Sequence, residues 1–420
     1  MTTINSAAQT RLLTLDAIRG VAVMGILLMN VIAFTMPEQA YINPLAWGGT
    51  RAVDLGAWAV NFVLIDGKMR GLFSLLFGAS MLLVVERAEA KGEDGGRVHA
   101  RRMVWLLLFG LAHYYLIWFG DILVLYAVIG CIAWLFSDRE PVNLIKWGII
   151  FLVVSFFLWA FMQAMMVMMQ MAASAPGASA EAIKGLEELR HSLGAPGSPG
   201  IAKEIAVYRG DYTDILGYRF GDRATGPLLM ILMSGIETLG LMLLGMALLR
   251  NGFLTGTWAP ERYRGTAIRY YLIGLPPMIL LCLWCLYSGF DPLTVFGAVF
   301  VWASPFRIVL VIAHAALALW LLQRFAHSAI VVRLAATGRA AFTNYLGTSI
   351  VMTTIFYGYG FGLFGAVSRA GVYLFVLGVW ALMLLWSKPW LDRFAYGPFE
   401  WLWRSLARGG VQPMRRTRIG

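Results

Sequence analysis

The stretch from Arg101 and Arg102 to Gly120, Asp121, Ile122 and Leu123 sets one histidine, His113, inside an apolar run that opens on two arginines and closes on a glycine and an aspartate. Histidine titrates near neutral pH, so it can take the proton of an acceptor hydroxyl or amine in an acyl transfer, and a carboxylate beside it fixes its tautomer. His113 reads as that base and Asp121 as its orienting partner. On a straight helix the two would stand about 80° apart, so pairing needs a bend near Gly120 or an aspartate placed on the turn. The competing reading is a buried histidine bonded to Asn30 or to a backbone carbonyl. An ionisable group inside a membrane span is costly, which makes function its default reading.

Other residues offer binding chemistry. Asp16 and Arg19 are spaced for an ion pair, either anchoring a helix end or letting Arg19 hold the phosphate or pantetheine of an acyl donor. Lys68 and Arg70, in the turn Asp66-Gly67-Lys68-Met69-Arg70, suit an anionic head group. Arg339, Asn344 and Tyr345 open a later apolar run and are candidates for substrate contact, because a membrane helix that keeps such groups together usually aims them inward. His314 is a reserve candidate; His99, His191 and His327 read as solvated or interfacial. Glu400 and Arg404 are spaced to pair along a helix. Cys131, Cys282 and Cys285 fall in apolar runs and read as packing residues. With no glycine-rich phosphate loop and no metal-spaced cluster, no tightly bound cofactor is expected, and acyl-coenzyme A would enter as a donor substrate.

The elements that must position these groups follow from composition. A chain of 420 residues that is 59% hydrophobic and 14% charged, with a mean hydropathy of +0.70, is a polytopic membrane protein. The net charge of +11 is spread over short loops and the tail, which argues against nucleic acid and for basic cytoplasmic loops. Apolar windows near 18–35, 71–86, 103–119, 122–137, 147–170, 226–249, 270–289, 306–323, 340–357 and 371–387 predict an all-α bundle of about ten transmembrane helices in one membrane domain spanning 1–420. The first apolar run follows Asp16 and Arg19 without a cleavage site, so it reads as a retained span. Residues 53–65 read as a re-entrant or interfacial helix. The segment 171–225 reads as an extracytoplasmic helical cap: a flexible lead, a helix over Glu181–Leu193, a breaker at 194–200 and a second helix from Ile201. The distribution of Lys and Arg puts both termini in the cytoplasm. A polar cavity is expected among the first, third, fourth and ninth spans, and the glycine-rich spans allow a homodimer.

The opening Arg11 to Asn30, the turn Asp66 to Gly78, Gly110 to His113, Gly120 to Leu123, Gly338-Arg339 with Thr343-Asn344-Tyr345, and Gly397 to Arg404 together resemble, end to end, the YeiB-like family, domain of unknown function 418. The opening is also distantly similar to transmembrane acyltransferases. That resemblance implies transfer of an acyl group from a cytoplasmic thioester to a lipid or glycan acceptor at the inner (cytoplasmic) membrane of a bacterium. In the acyltransferase-3 family a histidine follows the Asp-x-x-Arg motif, where this chain has Asn30. In relatives of heparan-α-glucosaminide N-acetyltransferase the histidine comes later, where Asn43 to Gly49 here contain none. His113 is thus the substitute candidate for the base. The rival expectation is a transporter or lipid-binding membrane protein in which the same polar groups line a path and no bond is made.

Overall fold

The computed structural model describes residues 2–415, with side chains from residue 13 onward; Arg416 and Arg418, counted in the basic tail, lie outside the described residues. The regular elements are helices: α1 (Thr2–Thr35), α2 (Gln39–Ile42), α3 (Ala52–Val60), α4 (Lys68–Glu89), α5 (Gly95–Ala112), α6 (Leu123–Trp134), α7 (Pro141–Ser174), α8 (Ala180–Ser192), α9 (Pro199–Arg209), α10 (Tyr212–Phe220), α11 (Gly226–Arg250), α12 (Pro260–Tyr287), α13 (Pro292–Phe296), α14 (Ala303–Arg324), α15 (Ala329–Arg339), α16 (Ala341–Phe356), α17 (Val372–Arg393) and α18 (Pro398–Arg408). Three π-helical turns, Asn61–Ile65, His113–Ile117 and Gly297–Trp302, continue α3, extend α5 and lead into α14.

Among the described residues, 7 helical runs are long and apolar enough to cross a membrane: Leu13–Thr35, Ala52–Glu89, Pro141–Ser174, Gly226–Arg250, Pro260–Tyr287, Pro292–Arg324 and Val372–Arg393. The expectation of about ten is therefore too high, and the reasons are local. The window 103–119 belongs to a helix that begins with Arg97, Arg101 and Arg102, while α6 has 12 residues and α16 has 16. At about 1.5 Å per residue neither α6 nor α16 reaches across a hydrocarbon core. Residues 53–65, read as a re-entrant or interfacial helix, form α3 and the π-helical turn Asn61–Ile65 and meet α4 in the run Ala52–Glu89, broken at Asp66 and at Gly67, whose φ of 69° needs a residue without Cβ. Helix α7 also runs on to Ser174, past the expected start of a flexible lead; α8 and α9 then follow, separated as the breaker predicts, and α10 is a third helix that the sequence reading did not set apart.

Close glycine crossings hold the bundle together. A Cβ on Gly338 would lie 1.8 Å from the carbonyl oxygen of Asp16, and one on Gly20 would lie 2.1 Å from that of Leu334, so α1 and α15 meet backbone to backbone. Inside a bilayer, where helix association gains little from hydrophobicity, such close approach supplies the packing. It also places Asp16 and Arg19 directly beside Arg339. Around them the largest core cluster joins α1, α4, α5, α6, α11 and α14 through residues such as Leu72, Leu75, Tyr126, Met242 and Leu319. Helices α7 and α12 stay largely outside this core: 11% and 22% of their most apolar windows are buried, as expected of helices that face lipid.

Candidate functional site

A cavity of about 410 Å³ opens between α1, α4, α5, α6, the α15–α16 corner and α18. Its deep walls are apolar, with Phe73, Leu76, Phe77, Leu106 and Phe342, and Tyr126 and Tyr345 stand among them. Towards its rim come Arg19, Arg87, Arg102, Arg339 and Arg404, against only two carboxylates, Asp16 and Glu400. The Asp16 and Arg19 pair forms as its spacing suggested, at 2.7 Å, and the same guanidinium donates to Ser80 Oγ at 2.9 Å. Glu400 is committed elsewhere: it accepts from the backbone N–H groups of Phe342 and Thr343, at 2.6 and 3.0 Å, and from the Thr343 hydroxyl, capping the N-terminus of α16. The expected pairing of Glu400 with Arg404 is thus replaced by this cap, and Arg404 lies over the Tyr396 ring at 4.5 Å. Arg102 lies over the Trp403 ring at 4.3 Å; burial, then the nearby Arg404, Arg408 and Arg19, push its pKa down to about 9. Five arginines against two carboxylates leave the cavity lining with a net positive charge, so an anion entering it would relieve repulsion among the arginines.

Of the residues singled out in the sequence, Asp16, Arg19, Arg339 and Tyr345 line this cavity, whereas His113, Asp121, Asn30, Lys68, Arg70 and Asn344 do not. The second apolar run, absent from the expected cavity helices, supplies much of the wall through Phe73 to Arg87. Asn344 is spent on structure: it donates to Thr337 O at 3.0 Å and Ser387 Oγ at 3.1 Å, and accepts from Trp386 Nε1 at 2.8 Å. His99 is a further correction. It is buried at 2% exposure and its Nε2 lies 3.1 Å from Gly130 O.

The His113 and Asp121 pair does form, with Nδ1 and Oδ1 2.7 Å apart and both side chains at 1% exposure. The bend the pairing requires is the π-helical turn His113–Ile117, after which Trp118 is extended and the chain folds back. Asp121 Oδ2 then accepts from Val124 N at 2.8 Å and starts α6, while the buried Arg219 of α10 donates to Tyr115 O and Ile117 O at 3.3 and 2.8 Å, satisfying the carbonyls at the turn's end. With Nδ1 donating to the carboxylate, Nε2 is left as an acceptor, and it has no partner among the described residues. Asn30 therefore does not hold it; Asn30 faces a small void with Tyr345, Thr348 and Ser349. Tyr345 connects the two places: its ring centre is 5.2 Å from that of His113, and it lines the large cavity as well.

Lys68 and Arg70 enter a second polar network. Arg70 donates to Glu237 at 2.8 Å, Arg307 reaches the other Glu237 oxygen at 3.5 Å, and Lys68, at 1% exposure, donates to Phe62 O at 2.5 Å. Tyr41 donates to Asp66 at 2.5 Å. Behind the cavity wall Tyr126 bonds Ser74 Oγ at 2.8 Å and Arg70 O at 3.4 Å, so the network backs onto the cavity. Glu237 and Arg307 were missed, although each is a lone charge in an apolar window, the same signal that singled out His113.

The fold and this geometry define a polytopic helical membrane protein with an arginine-rimmed, apolar-walled cavity. Residues 248–410 match the family model described as protein of unknown function (DUF418). The chain is 33% identical over 425 residues to the uncharacterized protein YxaH of Bacillus subtilis (strain 168), covering 97% of each chain. It is 30% identical over 417 residues to the uncharacterized protein YeiB of Escherichia coli (strain K12), covering 96% of this chain and 98% of that one. The chain belongs to the DUF418/YeiB family of bacterial polytopic membrane proteins. No solved structure matches it.

Proposed function

We propose that the protein binds an anionic amphiphile, a phosphate-bearing head group on an acyl chain, in the arginine-rimmed cavity, and acts as a lipid-binding or transporting membrane protein without bond chemistry. The observation that carries this reading is the cavity's own polarity, five arginines around the rim of an apolar chamber of about 410 Å³. Guanidinium groups match phosphate geometry through two parallel hydrogen bonds, and Phe73, Phe77 and Leu106 suit a chain. The excess of basic residues at the cavity's end supports an orientation with that end and both termini in the cytoplasm. Purified protein in detergent is titrated with a short-chain phosphatidic acid and with the matching phosphatidylcholine. Preference for the acid, weakened roughly tenfold or more in Arg19→Ala or Arg339→Ala, is expected from the loss of one charge-assisted contact. Equal affinity for both lipids would overturn the reading.

A second reading, acyl transfer, is favoured by the His113 and Asp121 dyad with its unpartnered Nε2. There an acceptor hydroxyl would lose its proton to Nε2 as its oxygen takes the acyl group from a thioester such as acyl-coenzyme A, and the thiol would leave. Release of free thiol that disappears in His113→Ala would establish it; donor binding without release supports the carrier.

A further inference from the structure

The break at Asp66 and Gly67 leaves the carbonyl end of a helix inside the bundle. In a bilayer no water reaches such carbonyls, so other groups must satisfy them. Two basic side chains do so from different segments. Lys68 donates to Phe62 O, and His314 of α14 approaches Leu64 O through Nε2 at 2.9 Å. His314 Nδ1 meanwhile lies 2.6 Å from Leu310 O, one turn back on its own helix. Both ring nitrogens thus face carbonyl oxygens, which only accept. A neutral imidazole has one N–H and can serve one of them; only the imidazolium serves both.

We propose that His314 is a proton-binding site, holding a second proton while it bridges α14 to the π-helical turn Asn61–Ile65 and releasing that proton when the bridge to Leu64 opens. Lys68 lies at the same break, and the Tyr271 ring of α12 has its centre 5.4 Å from the His314 ring. The wider network holds Arg70 and Arg307 against Glu237, with Asp66 bonded to Tyr41. The proton is therefore held by geometry, by two acceptors fixed at hydrogen-bond distance, and its release is coupled to movement of the broken helix. A titratable group held against the broken end of a neighbouring helix is an arrangement that couples ion binding to rearrangement in membrane transporters. The site stands apart from the cavity, so the two proposals fail separately.

The test is solid-state NMR of the full-length protein in liposomes with ¹⁵N-labelled histidine, using His314→Gln to assign the signal among 5 histidines. At a pH about one unit above the ordinary histidine value of about 6.5, the His314 ring is expected to show two protonated nitrogens. A His314 ring with a single protonated nitrogen at that pH would overturn the proposal.

Discussion

At the scale of single residues, the ionisable groups that matter are those the sequence buries. Glu237 is the counter-ion of the buried Arg307 and the part-buried Arg70, and Glu237→Gln leaves both uncompensated. Removal of one partner of a buried pair costs about 3–5 kcal/mol, so a marked fall in thermal stability in detergent is expected, partly restored by adding Arg307→Gln. Unchanged stability in the single variant would contradict the ion-pair assignment. His99 gives a pH dependence. Burial holds it down at about 4, whereas an unfolded chain takes up that proton near about 6.5. The stability this lends is full above the higher value and is lost as pH falls through the window to the lower one. Stability in His99→Gln should therefore decline less steeply on acidification over that range, and an unaltered slope would count against the buried, neutral histidine. The His113 and Asp121 pair was legible from residue types alone, since a histidine and an aspartate bracketing a glycine can meet when the helix ends. Its separation from the cavity was not, because which side of a helix faces a chamber depends on neighbours the local pattern does not name.

At the scale of elements, the sequence reports apolarity well and continuity poorly. The windows at 122–137 and 340–357 contain enough apolar residues for a span, yet α6 ends at the turn after Trp134 and α16 runs only from Ala341 to the extended Tyr357. At 53–65 the hydropathy breaks off at Asp66, Lys68 and Arg70 and the helix breaks there too, with these charges satisfied inside the bundle. The role of α18 was also hidden: an i, i+4 pattern suggests a surface pair, but Glu400 is drawn to the open N–H groups of α16, a tertiary partner no local spacing reveals. The crossing of α1 and α15 makes the element-scale prediction. Gly338→Ala drives a methyl into the Asp16 carbonyl, and is expected to lower both the melting temperature and anionic-lipid binding, because Asp16, Arg19 and Arg339 shift together. Gly378→Ala, whose added Cβ meets nothing within 4 Å, serves as the control and should leave both measurements unchanged.

At the scale of the whole molecule, one end concentrates arginines around an apolar chamber, a broken helix carries a buried charge network in the interior, and the largely unburied α7 and α12 face outward. Composition alone made the protein a polytopic membrane bundle, since no soluble core accommodates its hydropathy of +0.70. The chamber was only half legible: Asp16, Arg19, Arg339 and Tyr345 were singled out as site candidates, whereas Arg404 was read only as a partner of Glu400 and Arg87 was not singled out. The most direct measurement is photo-crosslinking in native-like membranes with an anionic lipid that carries a photoreactive group in its acyl chain, followed by identification of the labelled peptides. The expected labels lie on the cavity walls, at Phe73 to Phe77, Leu106 and Phe342, and fall sharply in Arg19→Ala. Labelling confined to the lipid-facing surfaces of α7 and α12, with the same yield in that variant, would contradict a cavity that holds an anionic amphiphile.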